Sequence, residues 1–181
     1  KGDTRAQLAM GQLNYWGARG LAQDFGSAVM WFERAASGGD AHAMSMLGHM
    51  YANGLSVEQS NETAIKWFTE SWEGSSWPGA ANGLGYLHMH GMGVEQDYEK
   101  ALDYFVAASE KNNAEAHFNL GAMYIDGIGE DQDNSKALQH FAVAAGEGHT
   151  MALYNLAVMH HNGLGSSRSC DLAVQYLKNV V

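Results

Sequence analysis

The chain has 181 residues, 46% of them apolar, with a formal net charge of −10. That is enough apolar material for a continuous core and argues against disorder, while the acidic balance argues against nucleic acid and anionic membrane surfaces, which both call for a basic face. No apolar run approaches the ~20 residues of a membrane span, and a single cysteine, Cys170, leaves no internal disulfide and no cysteine-based zinc centre.

The opening KGDTRAQLAMG is already patterned like a helix. It reads as the start of an excised stretch whose targeting signals lie elsewhere. The first helix carries Ala6 and the pair Met10-Gly11 and ends at Gly17. After the connector GARG (17–20), a second helix carries Ala28, Trp31 and Phe32. The third holds Ala43 and Leu47-Gly48 and ends at Gly54, and QSNETA (59–64) leads into a fourth with Trp67 and Phe68. Beyond SWEGSSWPG (71–79), the fifth holds Ala80 and Leu84-Gly85 and ends at Gly91; the sixth holds Ala101, Tyr104 and Phe105. Ala116, Leu120-Gly121 and Gly127 mark the seventh, GIGEDQDNS its connector, and Ala137, His140 and Phe141 the eighth. The last two carry Ala152, Leu156-Ala157 and Gly163, then Ala173, Tyr176 and Leu177.

These are five copies of one pattern. Their small residues Gly11, Gly48, Gly85, Gly121 and Ala157 are spaced 37, 37, 36 and 36 residues apart. Within a copy, Ala116, Leu120 and Tyr124 fall on one helical face, and the glycine at its end suits a left-handed C-cap. Alanine and glycine at fixed places let helices approach closely, and aromatic side chains fill the gaps. One such pair cannot bury its apolar face alone, so stacked pairs are required. The use of 22 glycines against one proline, Pro78, fits the same reading. Each Gly-x-Gly follows a helix. A phosphate loop would follow a strand and open a helix, so a nucleotide site is not indicated.

The run A-x-x-x-L-G-x-x-Y-x-x-G-x-G, followed by K-A-x-x-Y-F-x-x-A-A, is nearly whole in Ala116–Ala145 and again in Ala80–Ala108. It resembles the SEL-1-like repeat family, relatives of the tetratricopeptide repeat, whose own period is shorter at about 34 residues. The resemblance implies an all-α chain: a right-handed α/α superhelical solenoid of about five helix-turn-helix repeats. As one solenoid fragment these run approximately 6–40, 41–77, 78–113, 114–149 and 150–181. First helices would line the concave face and second helices the outer face.

A narrower resemblance, to the luminal SEL-1-like adaptors of endoplasmic-reticulum-associated degradation, rests on GARG, on QSNETA and on SRSCDLAVQYLKNV (167–180). It implies a non-catalytic scaffold in the lumen of the endoplasmic reticulum, its parent membrane-anchored outside this stretch. Its partners would be an HRD-type membrane ubiquitin ligase, luminal lectins and misfolded glycoproteins. A SEL-1-like scaffold of another compartment is the alternative. No cofactor is implied. There is no G-x-S-x-G and no H-E-x-x-H, so no catalytic residue is assigned.

Four places stand out. His88 and His90 precede a Gly-x-Gly, and His160-His161 follow the same plan, but His88 and His160 occupy the position of Tyr51 and Tyr124. Side chains two apart on a helix diverge, and zinc needs three or four converging ligands, so no metal residue is assigned. Asn61-Glu62-Thr63 is the one N-x-S/T sequon, in a connector that has lost its Gly-x-Gly; Asn61 is expected to carry a glycan if the chain is luminal. Trp72 stands where other repeats have Ala36, Ser109 and Ala145, and it either packs against Trp77 or forms with it an exposed anchor for a partner. Finally, Gly146 and Gly148 allow the last helices to swing onto a second chain, with Met151, Tyr154, Leu156 and Met159 lining a homodimer interface; the competing reading is ordinary turn glycines. Cys170, beside Arg168 at a helix start, reads as structural or incidental.

Overall fold

The computed structural model describes residues 2–17, 20 and 22–180. The described residues form ten α-helices and no strand: α1 (Thr4–Trp16), α2 (Phe25–Ser37), α3 (Ala41–Asn53), α4 (Asn61–Ser75), α5 (Pro78–His90), α6 (Tyr98–Ser109), α7 (Ala114–Asp126), α8 (Asn134–Gly146), α9 (Thr150–Asn162) and α10 (Cys170–Lys178). Short polar side chains start most of them. Asp24 accepts from the Ser27 amide at 3.0 Å, Asp40 from Ala43 at 2.8 Å, Asn113 from Ala116 at 2.8 Å and Asp133 from Ser135 at 2.9 Å. These caps satisfy amides that the first turn leaves unpaired. Gly17, Gly54, Gly91, Gly127 and Gly163 end the first helix of each repeat with φ between 64° and 72°, the left-handed cap that glycine adopts without a Cβ penalty.

The chain divides into two compact units, Lys1–Asp97 with α1–α5 and Tyr98–Val181 with α6–α10. In the first, α1 pairs with α2 and α3 with α4; α3 also packs on α2, and α5 on α4 and α3. Phe32, Leu47, Met50 and Phe68 form its core. In the second, α7 pairs with α8 and α9 with α10, while α6 lies on α7 and α9 on α8, around Phe105, Leu120, Met123, Phe141, Leu156 and Met159. The hairpins close over a glycine. A Cβ on Gly48 would stand 2.7 Å from the Phe68 ring, and one on Gly121 equally close to Phe141. Any larger residue there must push the two helices apart.

A second device recurs in the connectors. In the first four repeats a glutamine before the second helix reaches back to a main-chain carbonyl at the end of the first. Gln23 Nε2 donates to Tyr15 at 2.9 Å, Gln59 to Ala52 at 2.9 Å, Gln96 to Met89 at 2.9 Å and Gln132 to Ile125 at 2.7 Å. The next residue's amide donates to the carbonyl one position earlier: Asp24 to Asn14, Ser60 to Tyr51, Asp97 to His88, Asp133 to Tyr124 and Ser169 to His160. Together these bonds satisfy carbonyls that a helix end otherwise leaves to water.

The second repeat does not depart from this plan as its sequence suggests. Ser56 takes φ 54°, the left-handed conformation that Gly93, Gly129 and Gly165 hold in later connectors. The Gly-x-Gly is lost from the sequence while its backbone path is kept, at the strain of a left-handed serine. Of GARG, Gly17 and Gly20 both have positive φ, at 64° and 83°. Ala18 and Arg19 lie outside the described residues, as does Val181.

Candidate interaction surfaces

The histidines are distributed as repeat-position residues. In the fourth repeat Tyr124 stacks on His140, with centroids 5.5 Å apart and planes 14° apart. In the fifth the types are exchanged: His160 stacks on Tyr176 at 5.6 Å and 9°. One flat ring from each helix fills the same gap. His160 is buried, with Ser166 Oγ 3.1 Å from its Nδ1. His90 is exposed and packs against Tyr86, centroids 4.3 Å apart. Among the described residues, no three His, Cys, Asp or Glu side chains converge on a point that would hold a metal ion.

Asn61 is the first residue of α4 and is half-buried, not part of an exposed connector. The following repeat's connector presses on it: a Cβ on Gly93 would stand 2.7 Å from Asn61 Cβ. The side-chain oxygen of Asn61 is the buried end of its amide. Asn134 repeats the arrangement, its oxygen likewise buried, and Gly165 lies against its main chain. The sequon hydroxyl is engaged as well, since Ser60 Oγ donates to Thr63 Oγ1 at 2.9 Å and accepts from the Thr63 amide at 3.2 Å.

Trp72 and Trp77 are both half-buried. The ring partner of Trp77 is His42, stacked at 4.6 Å and 21°, and not Trp72. Trp77 stands at the N-cap of α5 and makes no side-chain cap bond; Pro78 follows at the first helical position, where its missing N–H costs nothing. His149, the N-cap of α9, uses the same seam differently: Nε2 lies 3.0 Å from Glu115 Oε2, and the ring stacks on Phe118 at 4.4 Å. Burial pushes the His42 imidazole below its usual range, opposed by the nearby Asp40 carboxylate.

The self-association residues split into two groups. Leu156 and Met159 are each 1% exposed and belong to the core of their own hairpin. Met151 and Tyr154 are 55% and 49% exposed. Gly148 has φ 86°, and the residues before the other inter-repeat helices match it in sign: Gly39 at 87°, Ser76 at 51° and Asn112 at 57°. It fills an ordinary turn position. Tyr154 also lines a cleft of about 580 Å³ between α9 and α10, with Val158, Cys170, Val174 and Leu177. Cys170 is the exposed first residue of α10.

Trp16 was not singled out by the sequence reading. It is 68% exposed, edge-on to Tyr15 at 4.7 Å. Its signal was present: other repeats put Asn53, His90, Asp126 and Asn162 at this position, polar or ionisable residues before the capping glycine.

The Sel1 repeat profile matches residues 4–40, 41–71, 78–113, 114–149 and 150–179. The chain belongs to the Sel1 repeat family. Sel1 repeats are a protein–protein interaction scaffold, and the aromatic and methionine side chains left outside this core are the kind such surfaces use. The ERAD-associated E3 ubiquitin-protein ligase component HRD3A of Arabidopsis thaliana is 39% identical over 54 residues, 30% of this chain. The chain spans 8% of that relative's length. A Sel1 repeat protein from Oxalobacter formigenes is similar in structure, with TM-score 0.84 and 28% identity, covering 98% of this chain and 72% of that one. A protective antigen of uropathogenic Escherichia coli with an SLR fold matches 99% of this chain at TM-score 0.79 and 28% identity, over 38% of its own length. No helix among the described residues is long and apolar enough to cross a membrane.

Proposed function

We propose that this Sel1 scaffold is a non-catalytic adaptor in the lumen of the endoplasmic reticulum, part of an HRD-type ubiquitin ligase complex that handles misfolded glycoproteins. The observation that carries the reading is the 39% identity to HRD3A. The partners are the membrane ligase and luminal lectins, with Trp72 and Trp77 as contact residues on the first unit. Asn61, in the sequon Asn61-Glu62-Thr63, carries a glycan in this reading. Purification of the full-length parent from detergent-solubilised microsomes, followed by mass spectrometry, is expected to recover a membrane ubiquitin ligase with lectins. Glycosidase treatment of the same material is expected to shift the band, and Asn61→Gln to abolish the shift. Absence of the protein from microsomes would defeat the proposal.

The second reading is a Sel1 scaffold of another compartment. The structural similarity to two bacterial proteins over nearly the whole chain favours it. In either reading the chain self-associates through the α8–α10 region, Met151 and Tyr154 meeting a second copy directly. Leu156 and Met159 take part only if the hairpin that buries them, joined at Gly146 and Gly148, is exchanged between chains. A scattering mass that stays monomeric at every concentration overturns this.

A further inference from the structure

The fourth repeat holds a pair of groups that the adaptor reading does not use. His117 on α7 and His140 on α8 place their Nδ1 atoms 3.0 Å apart. The ring centroids are 5.3 Å apart, close to the largest separation that such a contact allows. The two nitrogens therefore point at each other along one line. A metal at the ~2.1 Å typical of imidazole ligands needs both lone pairs turned toward a point off that line, so the pair is a hydrogen bond and not a chelate. One Nδ1 carries the proton and the other accepts it.

We propose that His117 and His140 form an acid-sensitive latch between α7 and α8, which accommodates one added proton and parts on the second. The first proton goes to the outer nitrogen of the donating ring and makes the shared bond charge-assisted. A second can only go to the accepting Nδ1, which sets two N–H groups head to head and two positive charges together. The surroundings favour His117 as the first to charge: the Ser109 backbone of α6 hydrogen-bonds it, and Glu147 after α8 attracts its positive form. His140 faces the opposite pressure from Lys136, whose Nζ lies 4.7 Å from the centre of the Tyr124 ring on which His140 stacks. Tyr124 stacks on His140, and next to His117 in sequence Phe118 carries His149, which pairs with Glu115. Burial is the largest cause holding both rings below the ordinary histidine range.

The sign follows from linkage. A histidine whose folded pKa is depressed binds more protons when unfolded, so it contributes stability above about pH 6.5 that is lost as pH falls toward its folded value. The inference stands on the fold and is independent of compartment or partner.

The test is urea unfolding of the full chain at pH 7.5 and pH 5, for the unmodified protein and for His140→Tyr, which installs the ring type found at Tyr104 and Tyr176. Loss of stability from carboxylates is common to both proteins. The unmodified chain is expected to lose about tenfold more in its folding equilibrium constant over this interval, because the unfolded chain takes up protons that the folded pair resists. Overlapping pH dependences would overturn the latch. If His140→Tyr does not fold, His117→Gln replaces it. Ring nitrogen NMR on the unmodified chain reads the same point directly: the two rings are expected to titrate as one coupled pair, and independent, single-site curves would refute it.

Discussion

The fourth and fifth repeats share one pattern and differ in what lies against them. In both, each helix of the hairpin buries an alanine, Ala116 and Ala137 in one and Ala152 and Ala173 in the other. Both also fill the outer gap with one tyrosine and one histidine, stacked. The residues that receive a neighbouring helix behave differently. Phe141 is fully buried, against Gly121 and Phe118 of α7, and Leu138 is half-buried. Their counterparts Leu177 and Val174 are 44% and 50% exposed. Sequence changes follow that division. Gly121 lies against Phe141; at the same crossing the fifth repeat has Ala157 and Leu177, a larger helix residue against a smaller partner. The hairpin is thus specified locally, and its groove residues trade size: glycine with phenylalanine in the fourth repeat, alanine with leucine in the fifth.

The sharpest test of that division is Phe141→Ala against Leu177→Ala in the full chain. The first empties a closed site and is expected to cost about 3–5 kcal/mol. The second trims a side chain already near half-exposed, for about 1 kcal/mol or less, of the order of one buried methylene. Equal losses in urea unfolding would erase the distinction between the repeats.

The close approach at the crossing is the next largest effect. Gly121→Ala puts a methyl 2.7 Å from the Phe141 ring. Overpacking of about 1–3 kcal/mol is set against a helix-propensity gain of about 1 kcal/mol. Adding Phe141→Leu, which copies the fifth repeat, is expected to be less damaging in the Gly121→Ala background than alone. Additive losses in that double-mutant cycle would mean that glycine and phenylalanine are not coupled.

Much of this was legible beforehand because the chain states its pattern five times. A glycine that recurs before every connector must be a left-handed cap, and each of the five has that conformation. The histidines before Gly91 were readable as repeat-position residues once His88 was aligned with Tyr124 and His90 with Asn53 and Asp126. What stayed hidden were contacts between repeats, since alignment compares equivalent positions and is silent on which non-equivalent ones meet. Trp77 finding His42 belongs there, as does Asn61 lying under Gly93. Ser56 misled for another reason: serine rarely takes a left-handed backbone, so a lost glycine looked like a lost turn. The His117–His140 pair is invisible to repeat reasoning because no other repeat has histidine at either position.

The smallest difference between the two repeats is at the connector. Gln132 donates to the Ile125 carbonyl at 2.7 Å, and three other repeats have the same bond. The fifth has Arg168 there, and its side chain makes no such bond among the described residues. Gln132→Ala is expected to cost about 1 kcal/mol, the net worth of a hydrogen bond whose acceptor keeps some access to water. Arg168→Gln supplies the missing donor at a site of the same backbone shape, since Gly163 and Gly127 have φ 72° and 67°. A gain of about 0.5 kcal/mol is expected, at the low end because both positions are exposed and solvent competes for the carbonyl. The readout is hydrogen exchange of the Ser169 amide, which already donates to His160 next to the unfilled carbonyl. Slower exchange in Arg168→Gln, with the fourth repeat unchanged, would place the effect in the connector. No change would mean that glutamine is preferred there for its neighbours in the turn and not for the carbonyl it reaches.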